Sequence, residues 1–272
     1  MKFMIRTDVE GVTGVTTYAQ AEDSALGRAM LMNDLQAVID GLLAEGDHEI
    51  VVYDEHTDGR NVDLRELPAA VAVICGKPPY RPDWGGIDSS FGAMLMVGFH
   101  ARSGTPGALL PHSYSRRNLS LRINGIEVGE IGMEAAIACE AGVPTWLVTG
   151  DSAGMAEAAE ILPGVRTATV KEAMGESAAL CYSPKFTARR LYTAAEGLLR
   201  DPPRVTPLLF TGPVTLELDM ADTPFLHALR NIHPELVAEG EGQTVRLQAV
   251  SVTEAWAWYL EVQHEVKAAM AG

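Results

Sequence analysis

The chain has 272 residues, 47% hydrophobic and 21% charged, with 26 glycines and 15 prolines, a balance that excludes disorder, collagen-like repeats and coiled coils. Its formal charge of −15, from 36 acidic against 21 basic residues, argues against nucleic acid or an anionic membrane as a partner, since no basic cluster exceeds the pairs Arg116-Arg117 and Arg189-Arg190. No apolar run approaches the roughly 20 residues of a membrane span, and the first eight residues meet charge too early for a signal-peptide core.

Short apolar runs alternate with segments of helical period, which predicts an α/β fold with a largely parallel sheet flanked by helices. Lys2 to Arg6 reads as the first strand. Leu31, Leu35, Val38 and Leu42 recur at helical spacing and predict a helix over about 22–45, ended by Gly46. Glu49 to Tyr53 is a second strand, and Ala70 to Cys75 and Ala93 to Phe99 read as two more buried strands, with Cys75 in the core. Asn124-Gly125, flanked by Leu121-Arg122-Ile123 and Ile126-Glu127-Val128, is a two-residue hairpin signal that adds an antiparallel piece to the sheet. Helices at about 130–141, carrying Cys139 in the core, and at about 152–161 precede strands at Thr145 to Thr149 and Arg166 to Val170. Pro184 and Pro202-Pro203 bracket a helix at about 185–200; strands follow near 207–219 and 244–250, then a terminal helix from about 253 in which Trp256 and Trp258 suggest packing. On this punctuation, residues 1–184 form the main α/β domain and 185–272 a smaller C-terminal α+β lobe, the two being free to share one core. Three cysteines, with no CxxC, indicate neither a disulfide framework nor a thiolate zinc site, and a reducing cytoplasm fits.

The candidate chemistry lies at strand ends. Asp8 and Glu10 stand two apart after the first strand, so extended backbone projects both carboxylates to one face. His56 follows the second strand and His100 directly follows the Ala93–Phe99 strand. In an open α/β sheet the binding crevice lies outside the carboxyl ends of the strands, so these residues are candidates for a single site. Carboxylate and imidazole without thiolate describe a catalytic zinc site, or one for manganese or cobalt. Glu130, at the start of a helix, either completes the set or serves the helix dipole. His112, in a loop twelve residues beyond His100, is free to serve substrate, whereas His48, His227, His233 and His264 read as surface or packing residues. No GxSxG, P-loop or dinucleotide fingerprint is present.

Taken in order, Thr7-Asp8-Val9-Glu10-Gly11, Gly98-Phe99-His100-Ala101-Arg102, Thr105-Pro106-Gly107, His112-Ser113, Asn124-Gly125 with Gly129-Glu130, and Val148-Thr149-Gly150-Asp151 resemble the D-aminopeptidase DppA family, peptidase family M55, over most of the chain. The resemblance implies a cytoplasmic hydrolase with two zinc ions per subunit. Asp8 would bridge both ions, with Glu10 and His100 completing one site, His56 and Glu130 the other, and His112 acting as nucleophile or general base. It further implies a homo-oligomer, a decamer, acting on short peptides with an N-terminal D-amino acid such as D-Ala-D-Ala. Two departures stand out: the loop between His100 and His112 is one residue longer than the family pattern, and Glu176 occupies a place where the family often has arginine. The residues also suit a metal-dependent amidase, deacylase or phosphoesterase, or a non-catalytic metal-binding ring scaffold.

Overall fold

Strand β1 (Lys2–Thr7) is the axis of the computed structural model, which describes residues 1–22, 24–237 and 243–271. It pairs in parallel with β2 (Glu49–Asp54) on one side and β4 (Ala93–Phe99) on the other. Beyond β2 lies β3 (Val71–Ile74); beyond β4 lie β7 (Thr145–Asp151), β8 (Arg166–Ala173) and β9 (Ala179–Cys181), in the order β3-β2-β1-β4-β7-β8-β9 with only β9 antiparallel. The chain therefore winds outward from β1 through β2 and β3, then returns to the other side of β1 at β4. That reversal opens a crevice at the carboxyl ends of β1 and β4, the place where such sheets bind ligands.

Alternation along β1 sends Phe3 and Ile5 to one face and Met4 to the other. The first face is covered by α2 (Ala25–Leu43), through Leu31, Leu35, Val38 and Leu42, and by Leu191 and Ala195 of α5 (Pro184–Glu196). The second is covered by α3 (Glu130–Glu140), α4 (Ser152–Ile161) and α7 (Val252–Ala271), with Ile131, Met155, Trp256 and Tyr259 in one apolar cluster. The expected helix over 22–45 is divided into α1 (Tyr18–Glu22) and α2, because Ser24 is extended and its hydroxyl caps α2 by accepting the Gly27 amide; residue 23 lies outside the described residues.

The Asn124-Gly125 hairpin forms, with both residues at positive φ (50° and 79°), but it does not join the main sheet. Its strands β5 (Asn118–Ile123) and β6 (Ile126–Glu127) build a second, antiparallel sheet with β10 (Val214–Met220) and β11 (Thr244–Ala249), in the order β11-β10-β5-β6. Leu121 and Ile123 pair with Leu218 and Leu216, so this sheet takes strands from both sides of position 184. Prolines 207 and 213 deny ladder donors to the segment read as strand from 207, and β10 begins only at Val214. Helix α6 (Pro224–Ile232), absent from the sequence reading, starts on a Thr223 cap and a first-turn proline. Cys75 is exposed, not core, because β3 is an edge strand, and Cys139 is only half-buried. Trp256 is 2% exposed but Trp258 is 38% exposed, since residues two apart on a helix point to opposite faces.

The loop after β1 packs closely where it crosses the end of β4. The Gly11 amide donates to the Gly98 carbonyl at 2.7 Å, and a Cβ on Gly11 would meet the Phe99 carbonyl oxygen at 2.0 Å. Gly98 itself sits at φ +84°, a conformation that L side chains resist. Gly11→Ala is therefore expected to destabilise the protein by about 1–3 kcal/mol, read by calorimetry as a fall of about 2–4 °C per kcal/mol. An unchanged melting temperature would mean that the loop does not pack this closely.

Candidate metal centre

Each candidate ligand is held by a local device. The Asp8 amide donates to the Val97 carbonyl at 2.9 Å, continuing the β1–β4 ladder one residue past the strand. The following loop is fixed by two buried charges. Thr13 donates its amide and hydroxyl to the Asp34 carboxylate at 2.8 and 2.7 Å. Lys171 of β8 donates to the carbonyls of Glu10, Val12 and Val15 at 2.5, 2.7 and 2.5 Å. Burial draws the Lys171 ammonium down to about 8 and pushes the Asp34 carboxyl up. The His56 loop is tied to Asp54, whose carboxylate accepts the amides of Asn61 and Val62, while the Asn61 side chain donates to the His56 carbonyl at 2.8 Å. Glu130 opens α3 and accepts the Tyr114 amide at 2.7 Å. The Tyr114 hydroxyl then donates to Glu134, which pairs with the buried Arg6.

These devices bring all six candidates into one cluster. His56 Nδ1 lies 2.8 Å from Asp8 Oδ1 and 3.1 Å from Glu10 Oε2. His100 Nε2 lies 3.3 Å from Asp8 Oδ2 and 3.3 Å from Glu130 Oε1. Asp8 thus turns one oxygen toward His56, which also meets Glu10, and the other toward His100, which also meets Glu130. The ligand atoms of Asp8, Glu10 and His100, and those of His100, His112 and Glu130, also lie within 4.8 Å of one another in each trio.

The cluster suits a cation. His56 Nε2 contacts the Ala21 carbonyl at 3.0 Å and His100 Nδ1 the Ala101 carbonyl at 2.9 Å; a carbonyl only accepts, so each ring donates there and turns its other nitrogen's lone pair inward. Asp8 Oδ2, Glu10 Oε2 and His100 Nε2 are buried without a hydrogen bond, which is costly unless something positive joins them. Burial lowers the His56 pKa, but the adjacent carboxylates of Asp8 and Glu10 outweigh this and raise it to about 11. His100 behaves alike: burial depresses it, and Glu130 and Asp8 push it well above the usual range. Burial would raise Asp8 and Glu130, yet the flanking imidazoles hold both below the ordinary carboxylate range. Protons on the imidazoles thus supply the positive charge that the carboxylates demand, and zinc, which takes imidazole and carboxylate together, can supply it instead.

His112 stands beside this group. Its ring stacks on His100 at 4.2 Å and 1°, its Nδ1 contacts the Leu110 carbonyl at 3.0 Å, and its Nε2 lies 3.8 Å from both Glu10 Oε1 and Glu130 Oε1. Tyr18, missed in the sequence, packs its ring edge-on against His112 at 5.6 Å. Tyr18 also lines an open cleft of about 480 Å³ with Thr105, Leu110, Pro111 and Glu176, so the Glu176 departure falls on the wall of the space next to His112. The structural charges Asp34, Asp54, Glu134 and Lys171 were missed as well. Lys171 did carry a signal, a cation directly after Val170 in the strand Arg166–Ala173. His48 and His233 are half-buried and His227 and His264 exposed.

Comparison with known proteins gives concordant matches. The Peptidase M55 family model, described as D-aminopeptidase, matches residues 1–260. A D-aminopeptidase of Bacillus subtilis (strain 168) is 29% identical over 260 residues, covering 94% of each chain. The solved structure of a Zn-dependent D-aminopeptidase, DppA from Bacillus subtilis, described as a self-compartmentalizing protease, superposes with a TM-score of 0.88 at 28% identity, covering 98% of this chain and 97% of that one.

Because both oxygens of Asp8 are used, Asp8→Ala is expected to abolish zinc binding altogether, whereas Glu10→Ala and Glu130→Ala each remove about one ion of the two that a dinuclear centre holds. Elemental analysis of folded variants offered zinc decides this. An Asp8→Ala protein with the parental zinc content would refute the shared-carboxylate geometry.

Proposed function

The chain belongs to the peptidase M55 family of D-aminopeptidases, and from that premise we propose that it is a zinc-dependent hydrolase that removes the N-terminal residue from short D-amino-acid-containing peptides, D-Ala-D-Ala among them. The observation that carries the reading is the division of Asp8, with one oxygen facing His56 and the other facing His100, each imidazole also meeting a further carboxylate, Glu10 or Glu130. Two zinc ions per subunit fit that division, one on each side. Bound there, zinc supplies Lewis-acid activation of a peptide carbonyl and of an attacking water.

The chain's own residues supply the proton handling. His112 donates from Nδ1 to the Leu110 carbonyl, which leaves the Nε2 lone pair directed at the space between Glu10 and Glu130. From there Nε2 either takes the proton of the attacking water and returns it to the leaving amine, or attacks the carbonyl itself. The loop is fixed by left-handed backbone at Leu110 and Tyr114, φ 50° and 58°, on either side of His112. Such conformations cost about 1–3 kcal/mol each and persist where the surroundings impose them.

Catalysis on this reading belongs to residues 1–184, which hold all six site residues. A homo-oligomer is carried over from the self-compartmentalizing relative, and the decamer is what the family resemblance implies. Three free cysteines accord with a reducing cytoplasm, and among the described residues no helix is long and apolar enough to cross a membrane.

His112→Ala is expected to keep its zinc and lose about 10²–10⁴-fold in kcat/KM on D-Ala-D-Ala; near-parental turnover would remove His112 from the chemistry. With zinc-loaded parent protein, cleavage of D-Ala-D-Ala in preference to L-Ala-L-Ala supports the D-aminopeptidase reading. Cleavage of an acylated amine or a phosphoester, with no D-peptide cleaved, would replace it by the amidase, deacylase or phosphoesterase reading. Inactivity on all of them in an intact zinc-loaded oligomer would leave the ring scaffold.

A further inference from the structure

The Lys171 side chain is completely buried and takes no part in the chemistry described above. Its strand, β8, is separated from β1 by β4 and β7. Even so, its ammonium reaches over the carboxyl ends of the strands and gives its three donors to three carbonyls of one loop, those of Glu10, Val12 and Val15. That loop has little structure of its own: its internal backbone bonds are the turn-like pairs Val12 to Val9 and Val15 to Val12, at 3.3 and 3.4 Å, and it touches β4 through Gly11. Three carbonyl oxygens converging in a dry interior repel one another unless a cation lies between them. An apolar side chain of equal length would fill the space as well, so packing does not account for a lysine in a strand whose neighbour Val170 is fully buried.

We propose that Lys171 is a positioning residue of the metal centre, fixing the carbonyls of residues 10, 12 and 15 so that the Glu10 carboxylate stands in ligating position before any metal arrives. The loop is also anchored by Asp34 through Thr13, and Asp151 lies beside Lys171 in the β7–β8 ladder, so acidic groups from two elements flank this region. The inference rests on Glu10 being a zinc ligand.

The test is zinc affinity by chelator competition on the full-length protein, with fold checked by circular dichroism. Lys171→Met should weaken one ion by about 10–100-fold, the usual effect of removing a partner that orients a ligand, and leave the second at parental affinity. A folded Lys171→Met protein that binds both ions with parental affinity, whatever its melting temperature, overturns the proposal, because a residue needed only for packing would give that result. Glu10→Ala is measured in parallel. If it too binds both ions normally, the ligand reading of Glu10 fails and the inference fails with it; if it loses an ion while Lys171→Met does not, the inference alone fails. Should Lys171→Met not fold, hydrogen exchange on metal-free parent protein decides. Protection of the Gly11, Val12 and Val15 amides by about 100-fold or more supports a loop organised before metal binding, and exchange near the unprotected rate overturns it.

Discussion

Asp8 shares its two oxygens between two buried imidazoles, His56 on one side and His100 on the other, and the rest of the structure is arranged around that attraction. Three carboxylates within a few ångströms of one another repel strongly once water is excluded. They are tolerable only if imidazolium or metal charge is held among them at fixed distance, and fixed distance requires that every ligand come from backbone that cannot relax. A carboxylate on a mobile loop would swing into solvent.

The fold meets this requirement in two ways. The reversal of strand order at β1 and β4 places Asp8 and His100 at adjacent strand ends, so their separation is set by the spacing of paired strands. The remaining ligands sit on loops or a helix end and are tied down by buried polar groups. Asp34 and Lys171 hold the Glu10 loop, Asp54 holds the His56 loop, and the Arg6–Glu134–Tyr114 chain leads to Glu130. Each of these groups would be a liability if left unpaired, and each is paired with backbone or with an opposite charge. Removing one partner therefore reaches the site as well as stability.

Beside the candidate ligands, selectivity depends on the walls of the cleft, to which Tyr18, packed against His112, and Glu176 contribute one aromatic and one charged surface. An acidic wall favours a cationic group and disfavours a free carboxylate at that distance.

The sequence by itself determined the α/β class, the parallel strands and the helical face of α2, because apolar period is a local property that burial must respect. It also marked Asp8, Glu10, His56 and His100, since a charged or ligating residue just past an apolar strand is visible without coordinates. Other features were decided only by tertiary structure. Hairpin strands β5 and β6 joined β10 and β11 and left the main sheet to β9, because strand pairing is chosen by long-range complementarity and the hairpin turn fixes only its own two strands. Which imidazole faces which carboxylate followed from ring tautomers set by the Ala21 and Ala101 carbonyls, contacts no spacing reveals. Lys171 and Asp34 act on residues 161 and 21 positions away, and a buried charge can be understood only once its partners are in place.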